Sequence, residues 1–186
     1  MAPGPIFTVP NQLTLLRLVF IPFFLVSIYL DRYLWALVLL SAAAVTDMLD
    51  GLLARQLNQK SALGAYLDPI ADKLMLSSSF FLLALKGKIV WWLAILVLAR
   101  DVLILVTAAV IVAVAGYRPL PPSIYGKATT LAQILLVVVA IAYPVLEWRI
   151  LDLIEMPMAI TAAGLTIYSG VHYSIIIARR LNNPSA

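Results

Sequence analysis

The run Asp47-Met48-Leu49-Asp50-Gly51-Leu52-Leu53-Ala54-Arg55, followed after eight residues by Gly64-Ala65-Tyr66-Leu67-Asp68-Pro69-Ile70-Ala71-Asp72-Lys73, decides how the chain reads. Four carboxylates fall within 26 residues of an otherwise apolar sequence. Asp47 and Asp50 are spaced i, i+3, and Asp68 and Asp72 i, i+4, so on helices each pair shares a face. The connector is short, and short connectors join antiparallel neighbours in helical bundles. The two helices are therefore expected to pack side by side with their carboxylates at one level. Carboxylates this close repel strongly where the dielectric is low. Protons or cations must accompany them, and hard divalent ions such as Mg2+ prefer oxygen ligands. Solvated loop carboxylates would not sit in flanks this apolar.

Outward from that stretch, the composition excludes a soluble domain. Of the 186 residues, 63% are apolar and 12% charged, against about 45–50% and about 25% in globular proteins. The chain reads as one all-α membrane domain over residues 1–186. It has no cysteine, hence no disulfide or thiol chemistry. The net charge of +4 suits an anionic membrane surface, and no basic face for nucleic acid is present. No basic residue precedes Arg17, so a cleavable leader is not expected.

Six apolar stretches of about twenty residues would each cross a bilayer. They are expected at 11–30, 33–55, a third stretch ending near 85 whose start Asp68-Pro69 alone would mark, 89–115, 124–143 and 156–178. Pro3, Pro5 and Pro10 break any regular helix ahead of them, and Ile6, Phe7 and Val9 would make a short interfacial segment. Asp31-Arg32, Lys86-Gly87-Lys88 and a polar stretch at 147–155 turn the chain at one side. Eight lysines and arginines fall on the motif side, four on the other, and Arg100 in between. That bias places both termini and the motif in the cytoplasm. Tyr29, Tyr33, Trp35, Trp91, Trp92, Tyr143 and Trp148 gather on the opposite side as an aromatic belt.

Several polar residues admit two readings. Asn11, Thr14 and Arg17 recur every third residue. They are either an N-cap followed by a snorkelling arginine or an inward-facing row. Arg100-Asp101 at mid-span is either a self-satisfied ion pair or a functional charge facing the bundle interior. His172 reads as interfacial or structural rather than as a ligand.

The pattern D-x2-D-G-x2-A-R-x8-G-x3-D-x3-D, matched at every fixed position from Asp47 to Asp72, resembles the signature of the CDP-alcohol phosphotransferase family of membrane enzymes. The resemblance implies transfer of a phosphatidyl group from CDP-diacylglycerol to an alcohol, with release of CMP. It implies that Asp47, Asp50, Asp68 and Asp72 hold two divalent cations, Mg2+ or Mn2+. It further implies that Asp47, Gly51, Ala54, Arg55 and Gly64 line the CDP pocket, and that Asp72 is the general base. A similar Asn-x2-Thr-x2-Arg run opens the first membrane helix of the family, which favours the site-lining reading of Asn11, Thr14 and Arg17. Family members start the third span near Ser61, which makes Pro69 a kink. They are usually homodimers, and the six-helix type belongs to the bacterial inner membrane.

The whole chain resembles the glycerol-acceptor branch, whose members use glycerol 3-phosphate or phosphatidylglycerol. An acceptor phosphomonoester wants several cations, and Arg100, Arg118 and Lys127 are the candidates. No second basic residue follows Arg100 in its span, and none follows Lys127 closely. The expectation therefore leans to phosphatidylglycerol as acceptor, a cardiolipin synthase, with phosphatidylglycerophosphate synthesis as the alternative. A non-enzymatic divalent-cation carrier would use the same carboxylates but would not need the Gly51, Ala54 and Arg55 pocket.

Overall fold

The computed structural model describes the backbone of residues 9–56, 62–115 and 124–182, with side chains at 16–46, 48, 71–106 and 124–175. All regular structure among the described residues is helical. The elements are α1 (Val9–Tyr29), α2 (Tyr33–Gln56), α3 (Ala62–Leu85), α4 (Trp91–Ala115), α5 (Ile124–Leu146) and α6 (Arg149–Asn182). Residues 1–8, most of the expected interfacial segment, lie outside the described residues. Helix α1 begins at Val9, two residues ahead of Asn11, so Asn11 is not its cap. Pro10 fits that first turn because its missing N–H has no helical acceptor to lose. Helix α3 starts at Ala62, well before Pro69.

Three tight turns close the end opposite the motif, each with a residue in the left-handed region: Asp31 (φ 58), Gly87 (φ 67) and Glu147 (φ 52). At the first, Asp31 N–H donates to Ile28 C=O at 3.0 Å and Arg32 N–H to Ser27 C=O at 2.8 Å. At the second, Gly87 N–H donates to Ala84 C=O at 3.0 Å and Lys88 N–H to Leu83 C=O at 2.8 Å. These paired bonds satisfy the last carbonyls of α1 and α3 in Schellman fashion. At Glu147 a single bond to Tyr143 C=O, 2.9 Å, ends α5. The cap at Glu147 is so compact that the expected nine-residue polar turn shrinks to Glu147 and Trp148. Helix α6 therefore starts at Arg149 and runs for 34 residues. Asp152 in its first turn suits the positive end of the helix dipole.

The helices run alternately up and down. Helix α1 packs on α2 and α3, α3 on α4 and α5, α2 on α5, and α6 on α4 and α5. Here the structure corrects the sequence expectation. Among the described residues α2 and α3 make no direct contact; each packs on α1 and α5. A short connector limits how far apart two helix ends lie, but it does not bring the helices into contact along their length.

The buried core sits towards the end closed by the three turns and draws on all six helices. Phe24, Ile28, Phe80, Leu83, Leu93, Val97, Leu136 and Ile141 fill it. Ala36, Ala94, Ala140, Ala159, Ala162 and Ala163 let backbones approach closely. Small residues matter in this setting because, between lipid-facing helices, close packing replaces the hydrophobic drive. Outside the core the surface is apolar: Val19, Phe23, Leu34, Val38, Leu105, Leu131, Ile160 and Ile167 are all exposed. Such a surface would aggregate in water. Hydroxyls of Ser27, Thr46, Thr130, Thr161 and Ser174 donate to carbonyls one turn back in their own helices. In hydrocarbon each polar group must find such an internal partner. Helix α5 and the stretch Arg149–Ile175 of α6 are long and apolar enough over their described residues to cross a membrane.

Exposed Trp35, Trp91, Trp92 and Trp148 ring the turn-bearing end. Lys86 there pairs with Asp31 at 2.7 Å and lies over the Tyr29 ring at 5.4 Å. The hydrogen bond from Lys86, with one from Tyr33, holds the Asp31 carboxyl below the usual carboxylate range. Any stabilisation from this pair is present at neutral pH and is lost as acid protonates Asp31. At an exposed site it is small.

Candidate active site

At the other end the interior turns polar. The last part of α2 carries Asp47, Asp50, Gly51, Ala54 and Arg55, and the first part of α3 carries Gly64, Asp68 and Asp72. Of these, only the side chain of Asp72 is among the described ones. The side chains of Asn11, Thr14, Asp47, Asp50, Ala54, Arg55 and Asp68 lie outside the described residues, and so does Arg118. Gly51 and Gly64 are described as helix backbone alone.

Helix α1 delivers Arg17, which is 2% exposed. Its Nη1 donates to Asp72 Oδ1 at 2.9 Å, across 55 residues of sequence. Arg17 thus faces the bundle interior and does not snorkel. The Asp72 side chain is 59% exposed, and it opens on two cavities. One, about 210 Å³, lies among α1, α2, α3 and α5 and is largely apolar, with Leu40, Ala43, Met75 and Val137 beside Arg17. The other, about 540 Å³, lies among α3, α4, α5 and α6 and carries Lys73, Arg100, Lys127 and Tyr173. Asp72, Leu76, Thr130 and Ile134 line both.

A buried charge network backs the larger cavity. Arg100 and Asp101 are 7% and 3% exposed. Arg100 Nη1 donates to Asp101 Oδ1 at 2.9 Å, and Lys73 Nζ donates to the same oxygen. Ser77 Oγ donates to Asp101 Oδ2 at 2.9 Å. From α6, Ser169 Oγ accepts from Arg100 Nη2 at 3.0 Å. Charges buried in low dielectric persist only when paired and hydrogen-bonded. Arg100 and Asp101 thus pair with each other, and Arg100 also lines the cavity.

Helices α5 and α6 are pinned by a second polar seam. Thr129 Oγ1 donates to Leu165 C=O at 3.0 Å, and Gln133 Nε2 to Thr166 Oγ1 at 3.0 Å. This seam fixes the register of the wall that presents Lys127 and Tyr173. His172 packs against Tyr125, with ring centroids 5.0 Å apart, and lines neither cavity. That agrees with a structural role.

Sequence reasoning assigned no role to Lys73, Ser77, Ser169 or Tyr173. Two signals could have found them. Lys73 and Ser77, like Ser169 and Tyr173, are spaced i, i+4 and so share a helix face. Among the described residues no three metal-ligating side chains cluster.

The family model described as CDP-alcohol phosphatidyltransferase matches residues 7–168. A Mycobacterium tuberculosis protein named "Probable phosphatidylglycerophosphate synthase" is 33% identical over 184 residues, covering 93% of this chain and 81% of that protein. A Salmonella paratyphi A protein named CDP-diacylglycerol--glycerol-3-phosphate 3-phosphatidyltransferase is 34% identical over 177 residues, covering 90% of this chain and 93% of that protein. A Mycobacterium bovis protein provisionally named a cardiolipin synthase is 38% identical over 127 residues, covering 67% of this chain and 60% of that protein.

Proposed function

The chain belongs to the CDP-alcohol phosphatidyltransferase family, and from that membership we propose that it transfers the phosphatidyl group of CDP-diacylglycerol to glycerol 3-phosphate, releasing CMP. The observation that carries this choice of acceptor is the convergence of Lys73, Arg100 and Lys127 on the cavity that opens at Asp72. A small dianionic acceptor needs several cations within reach. The lean towards phosphatidylglycerol gives way here. It rested on counting basic residues along α4 and α5, and the cation it omitted comes from α3. The names of the two relatives that span nearly the whole chain favour the same acceptor. Membership of the family also displaces the cation carrier.

In this reading Arg17 holds one oxygen of Asp72 and so orients the carboxylate, which takes the proton from the acceptor hydroxyl. The hydroxyl oxygen forms the new bond to the lipid-bearing phosphorus, and the bond from that phosphorus to CMP breaks. Lys73, Arg100 and Lys127 hold the acceptor phosphate. Gly51, Ala54, Arg55 and Gly64 would line the cytidine diphosphate pocket on α2 and α3. The donor set suits hard divalent cations. Four carboxylates lie on two helices that face each other across a cavity without packing together, and the one described carboxylate is exposed to that cavity. Asp47, Asp50, Asp68 and Asp72 would hold Mg2+ or Mn2+, which when bound compensates charge on the diphosphate and the leaving CMP. The apolar cavity and the lipid-facing surface suit the donor's acyl chains.

Purified protein given radiolabelled CDP-diacylglycerol and one acceptor at a time should yield phosphatidylglycerophosphate from glycerol 3-phosphate on thin-layer chromatography. Cardiolipin from phosphatidylglycerol, with no product from glycerol 3-phosphate, would overturn the acceptor. That second reading draws on the Mycobacterium bovis relative and on the exposed apolar Val102, Leu105 and Val106 that follow Asp101.

The same proposal makes the protein a six-span, multi-pass resident of a bacterial inner membrane, with the termini and the active site cytoplasmic. Fusing a reporter that works only in the periplasm to the C-terminus should give no signal. A strong signal would invert the topology.

A further inference from the structure

Asp101 takes no part in the mechanism above, yet it is 3% exposed and accepts hydrogen bonds from Lys73, Ser77 and Arg100. A simple ion-pair partner for Arg100 would not need to gather donors from two helices. Its Oδ1 is shared by both cations, and its Oδ2 is fixed by Ser77. The guanidinium is held from the other side by Ser169 on α6. Two of the three Arg100 nitrogens are thereby engaged, while Nε is buried with no hydrogen-bond partner among the described residues. An ammonium has three N–H donors and a guanidinium five, so both groups retain donors after these bonds. They line one cavity together with Lys127.

We infer that Asp101 is a positioning residue that locks Lys73 and Arg100, from α3 and α4, into one fixed cradle for the phosphomonoester of the acceptor. It also sets the charge of that cradle. Shared between two cations, it leaves them one net positive charge, and Lys127 brings a second. A phosphomonoester carries about −1.5 to −2 at neutral pH, whereas a phosphodiester carries one negative charge. The cradle is thus matched to a terminal phosphate rather than to a bridging one. Ser77 and Ser169 are the outer supports that hold the carboxylate and the guanidinium in place.

This inference rests on the glycerol 3-phosphate reading, and the test separates the two. Asp101→Asn would leave the buried Arg100 and the half-buried Lys73 without their anion, so the informative variants are Ser169→Ala and Ser77→Ala, which change no charge. Each variant removes a hydrogen bond to a charged group of the cradle, so each should raise KM for glycerol 3-phosphate about tenfold or more. The inhibition constant of inorganic phosphate, competing with glycerol 3-phosphate, should rise in parallel. KM for CDP-diacylglycerol should stay within about twofold, since uniform loss of acceptor binding leaves the donor untouched. An unchanged acceptor KM in either variant, or an equal rise for both substrates, overturns the role of Asp101 while leaving the acceptor assignment standing. A wild-type protein that makes no phosphatidylglycerophosphate refutes the acceptor assignment, and this inference with it.

Discussion

Asp72→Asn is expected to lower turnover by about a hundred- to ten-thousand-fold, the range a general base contributes, while CDP-diacylglycerol still binds. Asparagine keeps the shape of the side chain and its hydrogen bond from Arg17, which reaches Oδ1 at 2.9 Å. What it removes is the proton acceptor, at the position where the two cavities meet. The substitution also weakens an ion pair whose arginine is almost fully buried. Breaking a wholly buried pair costs about 3–5 kcal/mol, but Asp72 is more than half exposed, so water screens much of that loss. A thermal melt and a donor-binding measurement on the same preparation separate the two effects. A folded variant that binds donor but does not turn over supports the base role. Near-normal turnover would move the base elsewhere.

Chelation should abolish CMP release, and added Mg2+ or Mn2+ should restore it. Asp47, Asp50, Asp68 and Asp72 lie within 26 residues on two helices in an apolar chain, and the diphosphate of the donor adds further negative charge. Asp47 and Asp50 also lie towards the C-terminal end of α2, where the helix dipole disfavours anions. Without cations the assembly of substrate and carboxylates is strongly repulsive. The same cations should stabilise the fold: at a free concentration a hundred times Kd, binding adds about 2.7 kcal/mol. A melting temperature that rises with Mg2+ in the wild type and fails to rise in Asp68→Asn would tie the effect to the motif. Full activity after exhaustive chelation would refute it.

Local signals in the sequence set the all-helical class, the bounds of α1, α2, α4 and α5 to within a few residues, the turns at Asp31 and Gly87, and the carboxylate motif. Each of these is local. Apolar stretches set helix length, a residue able to adopt positive φ ends a helix, and spacings of three or four place side chains on one face. The shortening of the 147–155 turn escaped because a charged stretch reads as loop until the cap at Glu147 is seen. Which faces meet is set by packing between helices distant in sequence. That α2 and α3 each pack on α1 and α5 and not on each other, that Arg17 reaches Asp72 across 55 residues, and that Arg100 finds Ser169 across 69 lie beyond any window of sequence. The convergence of cations on one cavity depends on that packing. Along the sequence, Arg100 had no second basic residue in its own span. The packing of α3 on α4 put Lys73 and Arg100 on one oxygen of Asp101, because charges buried in low dielectric must find each other wherever the helices bring them within reach.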